Sequence, residues 1–373
     1  MTAASTIATE GAAPIRHLYI HVPFCAKVCP YCAFYVHQGG IEARRAYVAA
    51  LLREIAWARA AFDLEPETIY LGGGTPSLLA PEMVAEIFAA LPPASREVTM
   101  EVNPATVTEE KARAWKAAGI GRISLGAQSF DAGYLKLLGR DHTPEQVAET
   151  AALLRAHGFA NLSVDLMYAL PGQPPAVWTE TLRRALALKP DHVSSYGLTY
   201  EEDTPFFERL QKGEWAVDEA REIAMFDETF ATLAEAGLPF YEVSNFARPG
   251  FESAHNRGYW AGADYLGLGP GAYSTVGAER WFNLKDTASY GERLAAGRTV
   301  IAERESLTPE TKRRERVLLG LRTREGVARG LLDGHDRALE TAVEEGLAAW
   351  TGDRLVLTPR GRRVADGVAG LFV

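Results

Sequence analysis

The stretch HVPFCAKVCPYCAF, residues His21 to Phe34, holds Cys25, Cys29 and Cys32, the only three cysteines of the chain. An odd, clustered set of thiols is a poor disulfide framework and a good metal-site candidate in a reducing compartment. Thiolates suit iron–sulfur chemistry, and three on one short segment can hold three irons of a [4Fe-4S] cluster while the fourth iron stays open to a small molecule. Two other readings stand beside this one. Zinc would need a fourth ligand, such as His21 or His37. The spacing i, i+4, i+7 would also suit a buried helix face, but Pro30 opposes a helix there.

Outward from this stretch the chain alternates between strand and helix patterns. Leu18–Val22 reads as a buried strand just before the cysteines. Strands are then expected at Thr68–Leu71, Glu97–Val102, Arg122–Leu125, Leu162–Leu170 and His192–Leu198. Helical periodicity follows each strand, at Ile41–Phe62, Pro81–Leu91, Thr108–Ala118 (with Thr108 as N-cap), Thr143–His157, Ala176–Leu188 and about Asp218–Ala236. Six strand–helix units imply a parallel sheet with right-handed crossovers. That count fits an open, partial barrel or a doubly wound sheet, and both place chemistry at the C-terminal ends of the strands. Past about Phe246 the rhythm stops, and Arg248–Gly277 reads as a Gly- and aromatic-rich loop segment. From Thr308 the pattern is helix, helix, a short strand at Arg354–Leu357 and a helix from Pro359, which resembles a winged helix. The expected division is a disordered tail over 1–15, a partial barrel over 16–250 and a C-terminal domain over 251–373.

The 373 residues are 47% hydrophobic and 23% charged, which excludes a mainly disordered chain. Thirty-nine basic against 48 acidic residues give a net charge of −9, which argues against a broad nucleic-acid footprint, and no nucleic-acid partner is expected. No run approaches the ~18 apolar residues of a membrane span. Met1–Ile15 lacks the basic start and apolar centre of a secretory signal, so a cytoplasmic protein is expected.

The C-x3-C-x2-C motif after a first strand, followed by a partial barrel, resembles the radical S-adenosylmethionine (SAM) superfamily over roughly residues 16–245. The resemblance implies an α/β fold, an open partial (β/α)6 barrel with a smaller, mainly helical, winged-helix-like C-terminal domain. It also implies a [4Fe-4S] cluster on Cys25, Cys29 and Cys32, with SAM on the open iron. Polar residues at several strand ends bear on the same mouth. Gly72-Gly73-Gly74-Thr75 ends the second strand and lets backbone approach a ligand. Glu101 and Asp165 are carboxylates in strands that are costly to bury unless they face a polar cavity. Gln128 and Arg140 lie on nearby segments. These stretches resemble the SAM-contacting segments of coproporphyrinogen oxidase-like members, which implies Tyr19, Gly73, Gly74, Thr75, Glu101, Gln128, Arg140 and Asp165 as SAM-binding residues.

Within that subgroup the chain resembles the HemW-type heme chaperones more than the oxygen-independent coproporphyrinogen III dehydrogenases. The dehydrogenase pattern continues to a fourth cysteine where this chain has Phe34, and it carries a longer arm ahead of the cluster than the 24 residues before Cys25. The segment His255-Asn256-Arg257-Gly258-Tyr259-Trp260 is similar to the HNxxYW motif of the chaperones. By that resemblance His255, Tyr259 and Trp260 are heme-binding candidates. An imidazole can ligate iron, aromatic faces can cover a macrocycle and Arg257 can pair with a propionate. Asn256 is read as organising the loop. The implied role is heme binding and delivery to an apoprotein such as a respiratory cytochrome, with SAM either cleaved or merely retained. The alternatives are the oxidative decarboxylation of coproporphyrinogen III and methyl transfer on a related scaffold. The run Lys312-Arg313-Arg314-Glu315-Arg316 is read as a solvated helix face, with a partner protein or an anionic membrane surface as alternative contacts.

Overall fold

A computed structural model describes residues 13–372. The expected tail lies outside the described residues through position 12, and its last residue, Ile15, already belongs to a strand. The first half of the chain runs β1 (Ile15–Val22), α1 (Ile41–Ala61), β2 (Leu64–Gly73), α2 (Pro81–Ala90), β3 (Glu97–Val102), α3 (Glu109–Ala117) and β4 (Arg122–Gln128). It continues with α4 (Ala132–Leu137), α5 (Pro144–Ala156), β5 (Asn161–Tyr168), α6 (Pro175–Ala187), β6 (His192–Gly197), α7 (Pro205–Gln211) and α8 (Glu219–Glu235). Cap chemistry sets several helix starts. Thr108 accepts from the Lys111 amide at 3.2 Å, and Thr143 forms a reciprocal capping box with Gln146.

Strands β1 to β6 are parallel and lie side by side in chain order. A doubly wound sheet reverses its strand order and carries helices on both faces. Consecutive order with right-handed crossovers keeps every helix on one face and leaves the other as an inner wall. The outer face of the strands and the helices share one core, in which Ile20, Leu71, Met100, Leu125, Val164, Trp115 and Trp178 are buried. Each such side chain contributes roughly 1.5–3 kcal/mol. Trp178 also ties α6 to α8, because its indole donates to Thr229 Oγ1 at 3.0 Å.

After residue 235 the structure departs from the simple rhythm. Strands β7 (Phe240–Glu242) and β8 (Asn245–Ala247) extend the sheet past β6, with β8 antiparallel to it. The segment expected as loop contains α9 (Ala254–Trp260), and β9 (Leu266–Leu268) pairs in parallel with β1 on the far edge. Strand β9 thus belongs to the main sheet although it lies beyond residue 250. Next come β10 (Tyr273–Val276), β11 (Glu279–Asn283), α10 (Thr287–Ala295) and β12 (Ile301–Ser306), whose strands form a separate antiparallel sheet. Short strands of three or four residues carry too little periodicity to be recognised in sequence.

The remainder is α11 (Pro309–Leu321), β13 (Val327–Ala328), α12 (Asp336–Glu344), β14 (Ala348–Thr351), β15 (Arg354–Leu357), α13 (Pro359–Arg362) and α14 (Ala365–Gly370). This helix–strand–helix–hairpin order is winged-helix-like, and Val317, Leu321, Leu332, Leu355 and Phe372 build its own core.

Candidate functional site

The cysteine loop leaves β1 at Val22 and is pinned at its base. Cys25 N donates to His37 O at 3.0 Å, and His37 N donates to Pro23 O at 2.8 Å. The end of β2 docks on the same base, with Gly74 N to Val22 O at 2.8 Å and Thr75 N to Phe24 O at 2.7 Å. Close approach explains the glycines. Gly73 has φ +105°, and a Cβ there would sit 2.5 Å from the His21 ring. A Cβ on Gly74 would stand 2.7 Å from Phe24 O. The turn Cys32 N to Cys29 O, 3.1 Å, keeps the later thiols on one short arc.

All three cysteines line a cavity of about 470 Å³. Their thiols are free, and Thr75 Oγ1 donates to Cys25 Sγ at 3.5 Å. Burial pushes the Cys25 thiol up to about 11, against the lowering effect of Thr75. A soft, positively charged metal centre would reverse that cost by holding the thiolates. The fourth ligands that zinc would need are engaged elsewhere. His21 lies 3.1 Å from the Tyr19 hydroxyl and 2.9 Å from Tyr35 O, and His37 lies 2.8 Å from Thr287 Oγ1 and 2.9 Å from Gln38 O. The donor set of three soft sulfurs therefore fits an iron–sulfur cluster better than zinc.

Gly73, Gly74, Thr75, Glu101, Gln128, Arg140 and Asp165 line the same cavity. Glu101 Oε1 accepts from the Tyr70 hydroxyl at 2.8 Å, and Oε2 accepts from Gly73 N at 3.1 Å. Burial raises its carboxyl to about 7, and the nearby Asp165 adds to the rise. Burial likewise raises Asp165, against hydroxyl donors that include Ser124 at 2.8 Å and Ser163 at 3.2 Å. Arg140 donates to Gly126 O at 2.9 Å and approaches Cys29 Sγ at 3.9 Å, while its buried Nε has no partner among the described residues. Gln128 holds φ +64° at a register shift between β4 and β5, a strained backbone at the cavity wall.

The inner wall continues below these residues through Arg122, Ser124, His192, Ser194, Tyr196 and Asn256. Apart from Asn256, sequence reading passed over them, although the signal was present. Arg122 and Ser124, Ser163 and Asp165, and His192, Ser194 and Tyr196 recur at period two, which places them on one face of their strands. His192 is buried with one ring nitrogen 2.8 Å from Ser163 Oγ and the other 2.9 Å from the Tyr241 hydroxyl.

Four predicted site residues are not brought to this cavity. Tyr19 turns to His21 and stacks against Tyr70 with ring centroids 6.2 Å apart. His255, Tyr259 and Trp260 sit on α9, a helix where a loop was expected. Glu97 clamps its start by accepting from the amides of Ala254 at 2.9 Å and His255 at 3.2 Å. The His255 side chain is 1% exposed, with Nδ1 2.7 Å from Thr68 Oγ1 and Nε2 3.0 Å from the Tyr259 hydroxyl. Burial, helped by the neighbouring His17, holds its imidazole down to about 3. Neither ring nitrogen is open to a metal in this arrangement. Trp260 faces a second recess beside α11, and Asn256, read from sequence as a loop organiser, lines the main cavity instead.

The radical SAM superfamily pattern matches residues 19–185. The chain is 38% identical over 365 residues to the heme chaperone HemW of Mycobacterium tuberculosis, covering 94% of this chain and 93% of that protein. It is 32% identical over 377 residues to the heme chaperone HemW of Bacillus subtilis, covering 96% and 99%. Among solved structures, the coproporphyrinogen III oxidase HemN of Escherichia coli, a radical SAM enzyme, superposes with a TM-score of 0.86 at 23% identity, covering 98% of this chain and 92% of that one.

Proposed function

The chain belongs to the HemW family of the radical SAM superfamily, and from that premise we propose that it binds heme and hands it to an apoprotein. Cys25, Cys29 and Cys32 would hold a [4Fe-4S] cluster, and the polar residues of the same cavity would hold SAM. When bound, the cluster and SAM together supply one-electron and radical chemistry. The chain's own residues bind and shield them. Glu101 and Asp165 offer carboxylates to cationic or hydroxyl groups, Arg140 offers its unpartnered Nε to an anionic group, and Thr75 holds Cys25. Gln128 completes the wall. The acceptor is a respiratory cytochrome in its apo form, met in the cytoplasm or at the membrane surface. No described helix is long and apolar enough to cross a membrane.

The observation that carries this reading is the composition of the cluster loop. It offers three cysteines and then Phe34, 70% exposed on the cavity rim, where the dehydrogenase pattern has a fourth sulfur. The likeness to the coproporphyrinogen oxidase shows the shared fold only. The test is a paired assay on anaerobically reconstituted protein. Heme loading followed by transfer to an apo-hemoprotein is expected, with no vinyl product from coproporphyrinogen III under reducing conditions with SAM. Vinyl product without heme transfer would replace this reading with the decarboxylase.

A further inference from the structure

The basic run at the start of α11 is mostly used up within the fold. Lys312 pairs with Asp264, Arg313 and Arg314 pair with Glu310, and Glu315 binds Arg280 through two 2.7 Å contacts. Arg316 is the exception, its side chain having no hydrogen-bond or ion-pair partner among the described residues. It lines a recess of about 230 Å³ between α9 and the winged-helix-like unit, to which α11 belongs.

Three further donor-bearing residues line that recess. Arg257 projects from α9 and makes only a 3.5 Å contact with Glu325. Arg354 enters from β15 and spends Nε and Nη2 on the carbonyls of Glu325 and Gly326, which fixes its guanidinium while Nη1 stays uncommitted. Trp260 presents an indole Nε1 that is buried and has no acceptor among the described residues. The Arg322 guanidinium lies over its ring, 5.3 Å from the centroid. A buried N–H without an acceptor is costly, and a ligand oxygen would relieve it. The recess thus gathers three guanidinium groups against the one carboxylate of Glu325, in a chain of net charge −9. Planar guanidinium forks match a carboxylate.

We propose that this recess is a carboxylate-binding site that takes one propionate arm of a metalloporphyrin. The occupant rests on the heme reading above; the recess itself does not. At about 230 Å³ the space falls below what a drug-sized ligand needs, so it holds an acidic arm and leaves the macrocycle outside. The arrangement divides α9 by face. His255 and Tyr259 pack inward as structure, while Arg257 and Trp260 face the ligand.

The test titrates hemin and hemin dimethyl ester into the reconstituted full chain, reading affinity from the Soret band. Arg316→Gln and Trp260→Phe are the variants, since neither side chain makes a hydrogen bond among the described residues. Wild type is expected to bind hemin about tenfold or more tightly than the ester, as loss of a charge-assisted contact costs on that order. Arg316→Gln should weaken hemin by a similar factor and leave the ester unchanged. Hemin and ester of equal affinity in wild type would overturn the propionate site while heme binding survived. No uptake of either would overturn both readings. Inorganic phosphate raising the melting temperature only when Arg316 is present, with no preference for hemin over its ester, would assign the recess to a free anion and overturn the porphyrin occupant.

Discussion

His255 Nε2 lies 3.0 Å from the hydroxyl of Tyr259, one helical turn away on α9. With Thr68 Oγ1 at 2.7 Å from Nδ1, both edges of the imidazole are engaged beneath the sheet. In this arrangement the His255 ring anchors α9 against β2. Two consequences follow for substitution at this position. His255→Ala leaves the Tyr259 hydroxyl without its partner and opens a void, so it should cost about 3 kcal/mol in denaturant unfolding. Since burial depresses the imidazole, the stability it contributes is complete above pH 6.5 and drains as pH falls toward about 3. An unaltered unfolding midpoint in His255→Ala would show that the ring is not a structural anchor and would return it to the list of iron ligands.

Glu101 and Arg140 carry opposite charge into one cavity, which suits a ligand bearing both an ammonium and a carboxylate. Glu101→Gln and Arg140→Met should each weaken SAM binding about tenfold or more while the cluster's iron and sulfide content stays at the wild-type level. Calorimetry of the reconstituted variants reads the first quantity and metal analysis the second. For Glu101 the carboxylate is the competent form and its carboxyl titrates at about 7, so affinity for a cationic group should rise with pH through that value. SAM affinity that is flat from pH 6 to 8, or unchanged in both variants, would remove these residues from the site.

Glu54 is buried in α1 and accepts from Asn283 Nδ2 at 2.6 Å, Tyr290 at 2.6 Å and the Gly269 amide at 2.7 Å. It joins α1 to the segment that follows β9. Burial outweighs those donors and raises its carboxyl from 4.5 to about 7. A raised folded pKa means that its stabilisation is complete below 4.5 and is lost as pH climbs through about 7. The loss amounts to a few kcal/mol, at ~1.4 kcal/mol per pH unit. Unfolding free energies measured from pH 4.5 to 8 in wild type and Glu54→Gln isolate this, because other titrations cancel in the difference. The wild type should lose stability relative to the variant as pH rises. Parallel curves would show that Glu54 titrates as it does in the unfolded chain.

Much of the barrel was legible because its signals are local. Six apolar strands, each followed by a helix with period 3.6, specify a parallel sheet, and Thr108 and Thr143 mark helix starts by their own chemistry. The strand order that separates a barrel from a doubly wound sheet is a property of long-range pairing, so the alternation alone left both open. The cysteine loop was readable because thiols are rare here and their spacing carries chemistry. Glu101 and Asp165 stood out as carboxylates in apolar strands, and Arg140 as a charge ahead of a helix. Ser124, His192 and Ser194 share that wall but are small or neutral, and only their alternation sets them apart. For His255 the sequence could not show what the ring nitrogens contact. Residue type shows that a histidine can ligate, whereas Thr68 and Tyr259 decide whether its nitrogens are free, and Thr68 lies far away in sequence. Arg316 shows the converse. It reads as one more charge in a solvated run, and only the pairing of its neighbours reveals that it alone is unspent.

The most direct test of the central claim is a hemin titration of the full, anaerobically reconstituted chain, followed through the Soret band. A saturable absorbance change with about one heme per chain is predicted, and it should persist in Phe34→Ser, since that exposed side chain lies outside the recess assigned to the propionate. Absence of saturable uptake by a protein that carries its full cluster content would contradict the account.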